Sequence, residues 1–342
     1  PMGPIRYPSI GASLAKELSG ETSGTPDLVP ADQRTDAGKP SPASATPGYV
    51  AISPYRAFNQ AAFGPGFLGP PYAPLTVGAT DLPTPATPAS SRYADLKVDD
   101  LEPPTGISRE QFATRVGLWR AMEDRFVAKH GGAATAHNTV YRRALKLMES
   151  PVREAFELSQ ETDNTRTAYG SGRFGQGCLL ARRLIERGVG FVEVSLGSLN
   201  DGSFGWDTHQ NNFAAVKRLC GELDAGWSSL MRELSERGLL ESTTILWLSE
   251  FGRTPTINAQ AGRDHFPTAW SCVFAGGGIR GGQAFGKTSD DGLRVEENQV
   301  HVGDILATLC TAAGVDPETQ NISEAGRPIK LAEGKPIREI LA

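Results

Sequence analysis

The chain has 342 residues, 21% of them charged and 39% hydrophobic, a balance that excludes a disordered or collagen-like protein, while 39 glycines and 24 prolines exclude a long coiled coil. Its net charge is -5 with lysines and arginines scattered, so no basic stripe exists to track a phosphate backbone and nucleic acid is not an expected partner. No apolar run reaches the roughly 18 residues of a membrane-spanning helix, and the length exceeds the roughly 250 to 300 residues at which a single core stops growing.

In chain order, the prolines come first: 18 of the 24 lie at or before Pro104. Fixed φ and missing donors disfavour helix and central strand there, so residues 1–106 are expected to be an irregular Pro/Gly-rich segment packed on a domain. Two pieces stand out within it. PSIGASLAKELSG reads as a short helix ended by Gly20, and GYVAISPY as a short buried strand. The opening residues carry no charged-then-apolar secretory pattern.

Residues 107–342 read as an α/β domain, with a helical cover over 107–160. Ser108 and Gln111 form a capping box, Phe112, Val116, Trp119, Met122 and Phe126 share one helical face, and the helix ends near Gly131. A second helix follows from Ala136 to Glu149, and Pro151 suits the first turn of a third. Beyond it, helix and strand alternate. GQGCLLARRLIERG, the long stretch ending at Gly238 and GDILATLCTAAG are amphipathic helices; VGFVEVSL, TTILWLS and SCVFAGG are short apolar strands. Such alternation predicts a mostly parallel sheet with helices on both faces.

Ligands of open α/β sheets gather beyond the carboxyl ends of the strands. After VGFVEVSL comes SLNDGSFGWDTHQ, with Asp207 and His209 two apart; in an extended loop both side chains point to one side, offering an oxygen and an imidazole nitrogen to one borderline cation. TTILWLS is followed by Glu250, whose charge near a core requires a cation or donor, and Arg253 nearby could fork onto an anion. AGRDHFP supplies Arg263, Asp264 and His265 before the next strand. Each cluster has a plainer reading: a loop cap and a helix-start residue for Asp207 and His209, an ion pair for Glu250 with Arg253. Three clusters converging on strand ends favour a shared site for zinc or manganese, ahead of calcium or magnesium, because imidazole suits the borderline ions.

Other motifs carry less. Gly170, Gly172 and Gly175 match G-x-G-x-x-G, but a polar segment precedes them where a dinucleotide site needs a strand. His130 and His137 lie in helical surroundings, and His301 reads as a cap of the last helix. Cys178, Cys220, Cys272 and Cys310 lack metal or redox spacing and read as small buried hydrophobes.

At GWDTH (Gly205 to His209), EFGRTP (Glu250 to Pro255), GRDHFP (Gly262 to Pro267) and AGGGIRGG (Ala275 to Gly282) the chain resembles the family called domain-of-unknown-function 1501. The likeness continues through YPSIGA, YGSGRFGQGCLLARRLIERGVGFVEV and GRPIKLAEGKPI, spanning nearly the whole chain. That family resembles the alkaline phosphatase and sulfatase superfamily, whose members hold one or two metals above the carboxyl edge of a mostly parallel sheet and cleave phosphate or sulfate esters. The resemblance implies that Asp207 and His209 act as a metal-binding pair closed by the late His265, with Asp264 an extra ligand. It implies that Glu250 takes the place of a metal-binding aspartate, with Phe251 where a DHG turn has its histidine. Arg253 and Arg263 would contact the anion of a small ester substrate. The superfamily nucleophile lies on an amino-terminal strand, and this chain starts at YPSIGA, so an amino-terminally truncated member is expected, with the nucleophile outside the chain. Family members resemble exported proteins, which makes an extracytoplasmic place the expectation. A non-catalytic, metal-stabilised surface or binding protein of the same fold is the competing reading.

Overall fold

A computed structural model describes residues 5–19, 46–54, 60–78, 92–197 and 205–342. Gly20, most of the Pro-rich stretches and residues 198–204 of the loop before Asp207 lie outside the described residues.

Helix α1 (Ile10–Leu18) starts where Ser9 Oγ accepts the Ala12 amide at 3.2 Å, satisfying one of the free donors of the first turn. Strand β1 (Tyr49–Ile52) occupies a proline-free window of the Pro-rich region and is buried throughout. With β2 (Leu75–Val77) and β3 (Phe191–Val194) it forms a parallel sheet of order β2-β1-β3, with Val50 opposite both Leu75 and Val192. Side-chain alternation along β1 divides the core. Val50 and Ile52 join the largest cluster with Cys178, Leu179 and Leu180, whereas Tyr49 and Ala51 pack on Ala12 and Ala15 of α1. Residues on both sides of position 106 therefore share one core, and the middle strand of the sheet is the short buried strand expected at GYVAISPY within the otherwise irregular segment.

The helices α2 (Arg109–His130) and α3 (Gly132–Glu149) follow, with the Ser108–Gln111 capping box in place. None of the residues of α2 is buried, and Met122 and Phe126 remain 64% and 51% exposed, so α2 leans on α3 through the Trp119–Tyr141 stack rather than covering the sheet. Pro151 opens a 3-10 turn, Pro151–Phe156, instead of an α-helix.

Next come α4 (Asp163–Tyr169) and α5 (Arg173–Ile185), the second packed on β3. Of the G-x-G-x-x-G glycines, Gly170 and Gly172 lie between these two helices and Gly175 in the first turn of α5, with no strand before them. A Cβ on Gly175 would sit 1.9 Å from the Tyr169 carbonyl oxygen, so close packing of α4 against α5 explains that glycine. The long helix α6 (Asn212–Glu236) packs along α5. Between them Arg182, 2% exposed, is ion-paired to Glu161, Glu186 and Glu233 at 2.9, 2.9 and 2.8 Å. Arg183 adds a second pair to Glu161 and donates to the carbonyls of Ala155 and Glu154.

After α6 the topology departs from the expected one. Strand β4 (Thr244–Trp247) is followed by the short antiparallel pair β5 (Gly252–Arg253) and β6 (His265–Phe266), then by β7 (Val273–Gly276), which pairs with β4 antiparallel, Ile245 opposite Ala275. No crossover helix lies between β4 and β7 to carry the chain back, so it returns as a neighbour of opposite direction. The pair β4–β7 meets the parallel sheet below: Phe191, Leu246 and Phe274 pack on Leu14 of α1 and on Leu309 and Cys310 of α7 (Val302–Ala312). His301 occupies the cap position of α7, its amide donating to Asp304 at 2.9 Å. Cys178 and Cys310 are buried as expected, but Cys220 is exposed and Cys272 half-buried.

Gly281 to Thr288 spell G-x-x-x-x-G-K-T, yet the run enters a two-residue strand, Lys287–Thr288, paired with Val295–Glu297, where a phosphate-binding loop needs a helix. No helix of the described residues is long and apolar enough to cross a membrane.

Candidate metal centre

Two loops and one strand pair bring the motifs together. Register in β5–β6 sets Arg253 opposite His265 and Gly252 opposite Phe266; a Cβ on Gly252 would lie 1.9 Å from the Ala269 carbonyl oxygen, so this turn accepts no side chain. The loop before α6 is stitched to the 258–264 loop by backbone bonds from Arg263 N to Thr208 O (3.1 Å), Asn211 N to Gln260 O (3.2 Å) and Asn212 N to Ala261 O (3.0 Å). These bonds bring Asp207 and His209, distant in sequence, against Asp264 and His265.

Three atoms then form a near-equilateral triangle. Asp207 Oδ1 lies 3.1 Å from His209 Nε2 and 3.1 Å from His265 Nε2, and the two Nε2 atoms are 3.0 Å apart. Among the described residues this is the one group of three or more metal-ligating side chains that converge. Ligands 2.0–2.2 Å from a common cation sit about 2.8–3.1 Å from one another at octahedral right angles and about 3.3–3.6 Å at tetrahedral ones, so edges of 3.0–3.1 Å fit one bound ion. The donor set, two imidazoles and a carboxylate, suits zinc, manganese or iron ahead of calcium or magnesium. The Phe251 ring packs 4.3 Å from the His265 ring.

Electrostatics agree with a site that holds its acids ionised. Burial pushes the Asp207 carboxyl up, but hydrogen bonds from His265 and Arg253 and the charges of His209 and Arg253 outweigh it, leaving the group below the usual carboxylate range. Hydrogen bonds from His209 and Asn258 hold Asp264 below that range as well.

The remaining expected residues stand around this triangle rather than in it. Glu250 accepts from Arg253 Nη2 at 2.5 Å, and Arg253 Nη1 reaches Asp207 Oδ1 at 3.0 Å, so the guanidinium bridges two carboxylates. Arg263 donates to the Thr254 and Pro255 carbonyls at 2.5 and 2.8 Å, holding the turn together. Asp264 faces the far nitrogen of His209, Nδ1, at 2.9 Å. Beside the triangle lies a cleft of about 270 Å³, walled by Trp206, Val216 and Phe251 and edged by Ser249, Arg253 and Arg263.

One contributor is not a motif residue at all. Asn258 Nδ2 donates to the His209 carbonyl (3.0 Å) and to Asp264 Oδ1 (3.1 Å), while its Oδ1 accepts the amides of Gln260 and Gly262, each at 2.9 Å. Its only sequence signal is the turn-forming string NAQAG, which says nothing of what the side chain clamps.

Gly262 is the tightest point of the clamp, because a Cβ there would lie 1.8 Å from the His209 carbonyl oxygen. Gly262→Ala is therefore expected to push the two loops apart, lowering thermal stability and weakening metal binding together. Differential scanning fluorimetry with and without added zinc checks this; an unchanged metal-induced shift in melting temperature would show that the close approach does not support the triangle.

The sequence matches, over residues 3–341, the family described as Protein of unknown function (DUF1501). No curated protein and no solved structure matches the chain.

Proposed function

The chain belongs to the DUF1501 family, and from that premise we propose that it is a metal-dependent hydrolase of phosphate or sulfate esters built on an alkaline phosphatase-like fold. The observation that carries this reading is the triangle of Asp207 Oδ1, His209 Nε2 and His265 Nε2, whose 3.0–3.1 Å edges suit one cation. When bound, that cation would polarise an ester oxygen or acidify a water. Arg253, which already faces Asp207 and Glu250, would present its guanidinium to the anionic group at the mouth of the cleft. The apolar walls Trp206, Val216 and Phe251 would take the organic part of the ester.

Among the described residues β3 is bonded only to β1 and β4 only to β7, and both strands are half-buried throughout although all their residues but Glu193 and Thr244 are apolar. Those are the edges a further strand would join. Export follows the same family resemblance and belongs to the proposal.

The test is an assay of the purified protein against aryl phosphomonoesters, phosphodiesters and sulfate esters, with zinc, manganese, magnesium and calcium in turn. Turnover that disappears with chelator supports the reading, and silence on all substrates with all four metals overturns it. One observation favours the competing, non-catalytic reading: both arginines are already engaged, Arg253 by two carboxylates and Arg263 by two carbonyls. Metal bound stoichiometrically with no turnover would decide for that binding protein.

A further inference from the structure

We propose that Asp264 is a positioning residue, which fixes His209 in the tautomer whose Nε2 is bare, and is not itself a metal ligand; this rests on the metal reading above. A carboxylate only accepts hydrogen bonds, so the His209 nitrogen 2.9 Å from Asp264 Oδ1, Nδ1, carries a proton. A neutral imidazole protonated there leaves its lone pair on Nε2, the atom that lies 3.1 Å from Asp207 Oδ1 and 3.0 Å from His265 Nε2. Asp207 Oδ1 and the bare His209 Nε2 repel one another at that spacing unless a cation, or the proton that His265 Nε2 donates to Asp207, sits among them. Asp264 thereby aims His209 at the centre of the triangle, the arrangement in which an outer carboxylate orients a ligating histidine.

Asp264 is itself held in place. Asn258 Nδ2 donates to the same Oδ1 at 3.1 Å, and the orientation of that amide is fixed, because its oxygen accepts two backbone amides at 2.9 Å. The backbone of Asp264 is tied on both sides to Thr254, whose amide donates to Asp264 O at 3.0 Å and whose Oγ1 accepts the Asp264 amide at 3.1 Å. The second histidine of the triangle, His265, is oriented differently, by the Phe251 ring.

Cobalt(II), whose visible bands report coordination geometry, is titrated into the protein as it stands and into Asp264→Ala and Asp264→Asn. The expected result for Asp264→Ala is affinity lower by roughly 10- to 100-fold with the same bands at saturation, since an outer partner changes occupancy and not the ligand set. Asp264→Asn keeps an acceptor for Nδ1–H and for Asn258, and is expected to recover most of the loss. Nitrogen NMR of His209 in the metal-free protein, above the pH at which it protonates, should show the proton on Nδ1, and this holds as a test if Asp264→Ala does not fold. Equal affinity in Asp264→Ala, altered bands at saturation, or a proton on Nε2 would each overturn the positioning role while leaving the metal site standing. A parent protein that shows no cobalt bands would remove both claims together.

Discussion

Replacing Asp207 and His265 together by alanine is expected to strip the protein of its metal. The parent should purify with, or take up, about one equivalent of zinc or manganese, and the double variant should retain little of it under the same dialysis. Two of the three converging atoms are removed, leaving His209 Nε2 alone at the centre, so the loss should exceed the roughly 10- to 100-fold expected when only an outer partner is deleted. Elemental mass spectrometry reads the stoichiometry directly. Because Asp207 also accepts from Arg253 at 3.0 Å, circular dichroism must show that the fold survives. A double variant that is folded and still carries one equivalent would mean that the triangle is only a hydrogen-bonded clamp and that any ion sits elsewhere.

The largest stability loss is expected at Arg182, far from the site. Its guanidinium is 2% exposed and faces three carboxylates, those of Glu161, Glu186 and Glu233, at 2.8–2.9 Å. Arg182→Ala removes the one guanidinium that faces all three acids, leaving Glu161 to Arg183 and Glu186 and Glu233 to Arg237, a defect whose upper limit is the roughly 3–5 kcal/mol lost when one partner of a buried pair is deleted. Set against a typical stability of about 5–15 kcal/mol, that is enough to shift a urea midpoint strongly. A midpoint within error of the parent would show that solvent already screens the cluster.

The same network fixes the sign of the acid response. Burial pushes the Glu161 carboxyl up, and hydrogen bonds and charge from Arg182 and Arg183 outweigh it, so its folded value is depressed. A depressed acid contributes stability that is complete above its unfolded value, about 4.3, and that vanishes as pH falls through the folded value. The gap between parent and Arg182→Ala should accordingly be widest near neutrality and narrow below about pH 4. Urea titrations at pH 7 and pH 3.5 test this, and a gap that widens in acid would contradict the pairing.

Local elements were legible in the sequence because their causes are local. The capping box at Ser108 and Gln111, the ends of helices at Gly131, Gly188, Gly238 and Gly314 and the strand at Tyr49–Ile52 follow from donor counting, positive φ and a window free of proline. The face of α2 was legible only in part. Phe112, Val116 and Trp119 are half-buried as their spacing implies, but Met122 and Phe126 face outward, because what a helix packs against is not written in its own period.

Residue types and spacing determined that the chain is α/β, and put forward Asp207, His209, Glu250, Asp264 and His265 as candidate metal ligands beyond its strand ends. Only the tertiary structure decided which of them converge. Whether a carboxylate stands at the centre or behind a histidine depends on a few ångströms set by backbone bonds between loops some 50 residues apart, and those bonds put Asp264 on Nδ1 of His209 and Glu250 on Arg253. The antiparallel return of β7 along β4 was likewise beyond the sequence, because a short apolar strand carries no mark of the direction in which its neighbour runs.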